Sequence, residues 1–228
     1  MKYKMKTIFG VNSVTPINKK LKNGHTMYDW VVRKNCYPAF CMRTLTGDNK
    51  IIPEEIEFLN TKGCKIGLVF NDLTEKEVSA ISGVLSAERA VNAALELGVP
   101  VNTGIVLFAE IKPEWSVNHN WMISFASTLR AKGFVAGFIG NTDSSKNFNF
   151  DRQTGHFVKA TKDMNCFDAI FMATEPRIDN VPKEWLPYCP SDIEVEDMSF
   201  WSCGETAFDE VKVYNVYARD EKALISLW

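Results

Sequence analysis

The residue best placed for chemistry is Glu110, a carboxylate at the end of a short apolar segment. The residues before it, Ile105–Ala109, are all apolar, rich in β-formers and without helical periodicity, which predicts a strand buried on both faces. In α/β folds the catalytic groups stand at the carboxyl ends of such strands. A partly desolvated carboxylic acid can donate a proton to a reacting group there. The alternative is that Glu110 is simply the first solvated residue beyond the strand.

Further polar and aromatic residues follow the other predicted strands. They are Asn12, Ser13, Arg43, Asn71, Asp72, Asn141, Asp143, Glu175, Trp201, Asn215 and Tyr217. Proteins bind sugars through this mixture, since amides and acids bond the hydroxyls while aromatic faces lie under the apolar side of the ring. Singly, each residue also has a structural explanation, such as an Asn that caps a helix. Together they predict a polar binding site at one edge of the sheet.

Motifs for several other chemistries are absent from the sequence. It contains no G-x-S-x-G elbow, Walker A loop or G-x-G-x-x-G fingerprint. No C-x-x-C pair or H-E-x-x-H motif occurs among its six cysteines and three histidines, so we predict no metal site and no cofactor. All the cysteines are expected to be free, mostly buried thiols: Cys36, Cys41, Cys64, Cys166, Cys189 and Cys203.

Strand and helix patterns alternate along most of the chain. The predicted strands are Thr7–Val14, Ala39–Leu45, Lys65–Phe70, Ile105–Ala109, Val135–Gly140, Ala169–Thr174, Asp197–Cys203 and Val211–Ala218. The predicted helices are Met27–Lys34, Ile52–Lys62, Ser86–Leu97, His119–Lys132, Arg152–Asn165 and Asp220–Leu227. This alternation predicts βαβ crossovers and a mainly parallel sheet.

Eight strands favour an α/β fold closed into a (β/α)8 TIM barrel, with a doubly wound open sheet as the alternative. Beyond Pro176 several prolines break the rhythm, so we expect the barrel to be irregular in its last third. No repeat, low-complexity segment or linker is present, and we predict a single domain over residues 1–228.

Composition limits the partners that the chain can have. It has 228 residues, 46% hydrophobic and 24% charged, with a formal net charge of -2 and scattered basic residues. A nucleic-acid partner is therefore not expected. No apolar window is long enough for a membrane span, and the first residues lack the apolar core of a signal peptide. We predict a cytoplasmic protein, with export by another route left open.

Several segments resemble a known family. FGVNS, AFCMRTL followed by IIPEEIEFLNTKGCKIGLVF, SAERAVNAALELGVPVNTGIVLFAEI and LRAKGFVAGFIGN resemble the glycoside-hydrolase-like TIM-barrel family called domain of unknown function 1906. That family is distantly similar to the family 25 lysozymes, which cut bacterial cell-wall glycan. The resemblance covers residues 7–142 well and the remainder loosely.

The resemblance implies a protein that acts on a bacterial cell-wall or related glycan. Glu110 falls on the family's fourth-strand acid, Arg43 on its second-strand arginine, and Asn12 where the family has aspartate. Glu110 would be the proton donor and Glu175 the second carboxylate that glycoside hydrolysis usually requires, with Asp72 or Asp143 as substitutes. The substrate would be bound by Asn12, Arg43, Asn71, Asp72, Asn141 and Trp201.

Two other functions stay open at this point. An amide at position 12 cannot do acid–base work, so the chain could be a catalytically inactive barrel that binds carbohydrate or a protein partner. An enzyme for a phosphorylated metabolite is the third hypothesis, although no glycine-rich phosphate loop follows strand seven or eight.

Overall fold

The computed structural model describes residues 7–32, 37–143, 148–162, 169–175, 184–190, 192–208 and 211–228. Eight strands close into a barrel in chain order. They are β1 (Ile8–Ser13), β2 (Phe40–Thr44), β3 (Lys65–Phe70), β4 (Val106–Glu110), β5 (Val135–Gly140), β6 (Ile170–Glu175), β7 (Phe200–Phe208) and β8 (Val211–Ala218). The closed sheet confirms the predicted α/β barrel and excludes the open-sheet alternative.

The last third departs from the regular repeat through the direction of β8. Strands β1 to β7 are parallel to one another, whereas β8 is antiparallel to both of its neighbours, β7 and β1. Only residues 209–210 separate β7 from β8. A parallel partner needs a crossover of a dozen or more residues, so this short connection can only make a hairpin. The predicted irregularity takes this form, and β8 is not part of a βα unit.

Helices surround the strands. They are α1 (Met27–Val32), α2 (Pro53–Thr61), α3 (Glu75–Val78), α4 (Val84–Glu96), α5 (His119–Ala131), α6 (Asn149–Lys162) and α7 (Glu221–Ile225). The short α3 was not predicted, although Thr74 and Glu77 form a capping box that marks its start. No helix within the described ranges is long and apolar enough to cross a membrane.

The side chains inside the barrel stack in layers, each supplied by alternate strands, as the strand register requires. From the amino-terminal ends of the parallel strands upward, the layers are Phe40, Val106, Ile170 and Ala218; Gly10, Gly67, Gly137 and Phe200; Met42, Phe108, Met172 and Val216; Asn12, Val69, Ile139 and Ser202; and Thr44, Glu110, Thr174 and Tyr214. Apolar residues thus fill the lower barrel, and polar residues occupy its upper end.

In the second layer, Gly10, Gly67 and Gly137 make space for one large ring, that of Phe200. Phe200 contacts Phe40 and Phe108, with ring centroids 5.6 and 5.7 Å apart. A Cβ on Gly137 would lie 2.3 Å from the Phe108 ring and 2.6 Å from a methyl group of Val106. Since real Cβ atoms do not approach other atoms so closely, the glycine is required by the packing.

We therefore expect Gly137→Ala to destabilise the protein by about 1–3 kcal/mol, the usual effect of overfilling a packed core. Chemical denaturation measures the change. Adding Phe108→Leu should recover part of the loss, because a smaller and more mobile side chain replaces the rigid ring that the new methyl group meets. Equal stability of Gly137→Ala and the original protein would contradict the layered packing.

The carboxyl-terminal residues close the lower end of the barrel. Ala223 of α7 and Leu227 pack against the lowest inner layers. The Val106 N–H donates to the Ser226 carbonyl at 2.9 Å, and Trp228 exchanges two backbone hydrogen bonds with Ile66. Solvent therefore reaches the barrel interior from the upper end, where the polar layers lie.

Four cysteines fall in the part of the chain that the structure describes, and all four are unpaired: Cys41, Cys64, Cys189 and Cys203. Burial raises the pKa of the Cys189 thiol to about 11 and that of Cys203 to about 12. Both are therefore protonated and unreactive at neutral pH. The prediction of free thiols is confirmed for these four, and Cys36 and Cys166 lie outside the described residues.

Candidate functional site

The two upper layers form the polar end of the barrel, which we call the mouth. It consists of Asn12, Thr44, Glu110, Thr174, Ser202 and Tyr214, with Val69 and Ile139 completing the lower of the two layers. Below it, the layer that contains Met42 and Met172 is fully apolar and buried. The mouth thus has an apolar floor and walls that carry hydroxyl, amide and carboxyl groups.

Glu110 is the carboxylate of the mouth. It is the last residue of β4 and pairs in register with Ile139 on β5. Protein surrounds most of the side chain, although part of it contacts solvent. Desolvation raises the pKa of its carboxyl, and the Lys112 ammonium offsets this effect only in part. Within the described ranges no hydrogen bond or ion pair to this carboxyl occurs. Such an environment favours the protonated form, as a general acid requires.

Asn12 and Tyr214 are opposite one another in register on β1 and β8. Asn12 is half-buried and lies one layer below Glu110. Burial raises the pKa of the Tyr214 phenol, and the charges of Glu205 and Glu110 raise it further. The phenol therefore stays protonated and lies within the electrostatic range of two carboxylates.

Asn71 and Asn141 each follow an inward-facing residue, on β3 and β5, by two positions. This spacing places both at the rim above the mouth. The Asn141 side chain is buried, and its Oδ1 accepts a hydrogen bond of 2.9 Å from the Asp143 N–H. Asp72 is exposed, and its carbonyl accepts a 2.7 Å hydrogen bond from Arg89. Of these three predicted ligands, the two amides border the mouth.

Arg43 faces away from the mouth, toward the helices, and is fully buried. Its Nε and one terminal nitrogen donate to the Glu55 carboxylate of α2 at 2.6 and 3.0 Å. Its remaining donors bond the carbonyls of Ser13, Val14 and Asn49. All five N–H groups are thus occupied, and none remains for a substrate. The structure assigns Arg43 to packing, in contrast to its predicted role as a substrate ligand.

Glu175 and Trp201 also face outward. Glu175 is buried and accepts a hydrogen bond from the Tyr188 N–H. Burial raises the pKa of its carboxyl, an effect that the Tyr188 N–H and the nearby Trp201 indole partly offset. The Trp201 indole N–H, however, has no partner in hydrogen-bond geometry, and its ring packs against Trp185 at 5.8 Å. Neither residue reaches the mouth, so the predicted sugar-stacking role of Trp201 does not fit its position.

Glu110 and Glu175 consequently do not form a pair. Glu110 shares its layer with Thr174 on β6, and Glu175 is the next residue along that strand. A single step along a strand turns the side chain to the opposite face of the sheet, so Glu175 points outward where Glu110 points inward. The Asp143 charge raises the pKa of Glu175, so Asp143 lies on the Glu175 side.

The direction of β8 decides which of its residues border the mouth. Asn215 and Tyr217 were predicted at the rim because a parallel β8 would end there. Since β8 is antiparallel, its first residues lie at the rim, and Tyr217 packs on the outside against Phe9 at 5.7 Å. Tyr214 takes the inward position, and sequence analysis missed it. The short connection to β7 was the signal that could have identified it.

Histidine, cysteine and carboxylate side chains do not assemble into a metal-binding group of three or more anywhere in the described ranges. No protein-family model matches the sequence, and no curated protein matches it either. The family suggested by the sequence segments is therefore not established by sequence comparison.

Solved structures resemble this barrel along its whole length. An uncharacterized protein of B. stearothermophilus is 23% identical, with a TM-score of 0.79 over 97% of this chain and 100% of that one. The bacterial lysozyme of Streptomyces coelicolor is 12% identical, with a TM-score of 0.57 over 97% of both chains. The muramidase of Acremonium alcalophilum is 12% identical, with a TM-score of 0.58 over 96% and 97%. At these identities the likeness establishes the fold alone, a closed α/β barrel that the lysozyme and the muramidase share.

Proposed function

We propose that this protein is a glycoside hydrolase that acts on bacterial cell-wall or related glycan, with Glu110 as the proton donor. The observation that carries the proposal is the state of the Glu110 carboxyl. It is desolvated, it has no bonded partner in the described part of the chain, and it points into the barrel's open end. A carboxylic acid whose pKa is raised by burial holds its proton more tightly than usual and can give it to a glycosidic oxygen as the bond breaks.

The lining of the mouth supports a sugar as the substrate. Amide groups of Asn12, Asn71 and Asn141 and hydroxyl groups of Thr174 and Tyr214 both donate and accept hydrogen bonds, as neighbouring sugar hydroxyls do. The mouth offers no cluster of cationic side chains for a phosphate among the described residues. The bacterial lysozyme and the muramidase that share the fold point to cell-wall glycan as the first substrate to try.

The direct experiment is incubation of the purified protein with peptidoglycan and with chitin-type oligomers, followed by measurement of new reducing ends. We expect reducing ends to accumulate in proportion to protein concentration and time. A preparation unfolded by heat is the control for hydrolysis by contaminating acid or base. The proposal is wrong if none of these glycans yields reducing ends at any pH at which the protein is folded.

Asn12 favours a second candidate, a barrel that binds glycan without cleaving it. The amide can bond a sugar hydroxyl but cannot exchange a proton, and it lies in the layer directly below Glu110. Asn12→Asp is the test, because it adds a carboxylate at a mouth position without a change in size. We expect the variant to raise the hydrolysis rate if the amide limits turnover. Glycan binding without turnover in both proteins would favour the binding module.

A further inference from the structure

A β-bulge in β7 turns Glu205 toward the mouth. Ser202 pairs with Val216 and Glu205 pairs with Tyr214, so three steps on β7 match two steps on β8. Plain alternation from the inward-facing Ser202 would point Glu205 outward. The extra residue reverses that direction, and Gly204 permits the bend with a φ of 82°, a conformation that suits glycine.

The contacts of Glu205 confirm that it faces the same way as Tyr214. Lys212, two residues from Tyr214 on β8, places its ammonium 3.0 Å from the Glu205 Oε1. The Glu205 charge also contributes to the raised pKa of the Tyr214 phenol. By register Glu205 lies just above the top layer. Around the barrel, two strands separate β4 from β7 on one side and four on the other, so Glu205 is on the wall that faces Glu110.

Glu110 and Glu205 have opposite environments. Glu110 is desolvated and unbonded, whereas the Glu205 side chain keeps 32% of its surface exposed and is paired with an ammonium group. Burial raises the pKa of the Glu110 carboxyl, whereas the Glu205 carboxylate lies beside solvent and the Lys212 ammonium group. Two carboxyl groups in contrasting environments on facing walls of one mouth are the arrangement that divides acid and base roles.

We propose that Glu205 is the general base of the glycan hydrolysis assigned to this mouth, a proposal that rests on the proposed function. A water molecule held by the Glu205 carboxylate attacks the anomeric carbon and gives its proton to Glu205. The bond from that carbon to the glycosidic oxygen breaks, and the leaving oxygen takes the Glu110 proton. One water is consumed, and proton exchange with solvent restores both carboxyls. A base that acts through water inverts the anomeric configuration, and placement of the two carboxyls on facing walls is compatible with the wider separation that inverting enzymes use.

The first test compares Glu205→Gln with Asp192→Asn on a soluble chitin-type oligomer. Asp192 is paired with Lys159 at 3.0 Å in a similarly exposed ion pair away from the mouth, so its variant controls for loss of a surface charge. We expect Glu205→Gln to lower kcat by about 10²-fold or more and Asp192→Asn to leave it unchanged. Equal rates for Glu205→Gln and the original protein would overturn the base role while leaving the hydrolase proposal intact.

The second test uses azide, a nucleophile that needs no base. Azide should raise the rate of Glu205→Ala and yield a glycosyl azide, but it should not rescue Glu110→Ala, which lacks the proton donor. A purely structural role for Glu205 predicts no azide product.

Proton NMR of the first product from the original protein should show an inverted anomeric centre, and retention would contradict the assignment.

The outcomes separate the two proposals. An original protein that is inert on every glycan ends both of them. An active protein in which azide and Glu205→Gln have no effect, or in which configuration is retained, ends only the assignment of Glu205. Melting temperatures of both Glu205 variants close to that of Asp192→Asn verify that rate losses do not come from unfolding.

Discussion

Replacing Glu110 with Gln should lower the rate of glycan hydrolysis by about 10²-fold or more, the usual contribution of a general acid. Gln keeps the shape of the side chain and its hydrogen-bonding oxygen but has no proton to donate at the reacting bond. Release of reducing ends from peptidoglycan, measured at matched protein concentrations, gives the ratio of rates. Asp192→Asn, which removes a carboxylate away from the mouth, is the matched control and should retain most of the activity.

The pH dependence follows from the raised pKa of the Glu110 carboxyl. The acid form is the active one, so the rate should fall as pH rises through that raised pKa. A carboxyl whose pKa is raised by folding makes the native state more stable as pH falls, because the native state binds more protons than the unfolded chain. Glu110→Gln should therefore be at least as stable as the original protein at neutral pH, and the difference should shrink in acid.

Two results would contradict this role for Glu110. One is a Glu110→Gln variant with undiminished hydrolysis. The other is a variant that loses activity together with several degrees of melting temperature, because the loss would then reflect folding. A binding module without turnover would show a third pattern, in which the substitution changes glycan affinity modestly and no rate exists to be lost.

The second large effect concerns the buried pair of Arg43 and Glu55. Arg43→Met should destabilise the protein by about 3–5 kcal/mol, because it leaves the Glu55 carboxylate buried without its cation. It also removes the donors bonded to the carbonyls of Ser13, the last residue of β1, and Asn49, which lies in the segment that follows β2. Denaturant unfolding, with the midpoint and slope both recorded, measures the loss.

An exposed ion pair serves as the control for Arg43→Met. Lys159→Met breaks the pair with Asp192, in which the two side chains are 68% and 40% exposed, and should change stability by less than about 1 kcal/mol. The double variant Arg43→Met with Glu55→Leu should recover part of the loss, since no charge is then left buried. Similar small losses for Arg43→Met and Lys159→Met would show that the pair contributes little.

Sequence alone predicted the strands and the position of Glu110, because continuous apolar runs and a terminal acid carry that information locally. It did not separate the two faces of those strands. In a parallel barrel both faces are buried, so Arg43, Glu175 and Trp201 sit among residues as apolar as those beside Glu110. Strand alternation tells the faces apart only once one inward residue is known, which requires the closed register.

Glu205 shows a further limit of sequence reading. Its direction depends on one extra residue in β7, and the bulge is defined only by pairing with β8. Gly204 was a local sign, since an isolated glycine within a strand often marks a bulge. The antiparallel direction of β8 followed in principle from its short connection, and with it the inward position of Tyr214 could have been inferred.

The pairing of β1 with β8 has a consequence for biosynthesis. These strands belong to opposite ends of the chain, and their contact completes the ring. On the ribosome β1 is synthesised before β8, so the edge of β1 that pairs with β8 stays unpaired until β8 has been translated. An open edge can recruit strands from other chains, so nascent molecules are exposed to misassembly throughout elongation. The final ring closure joins distant segments and should be a late step of folding.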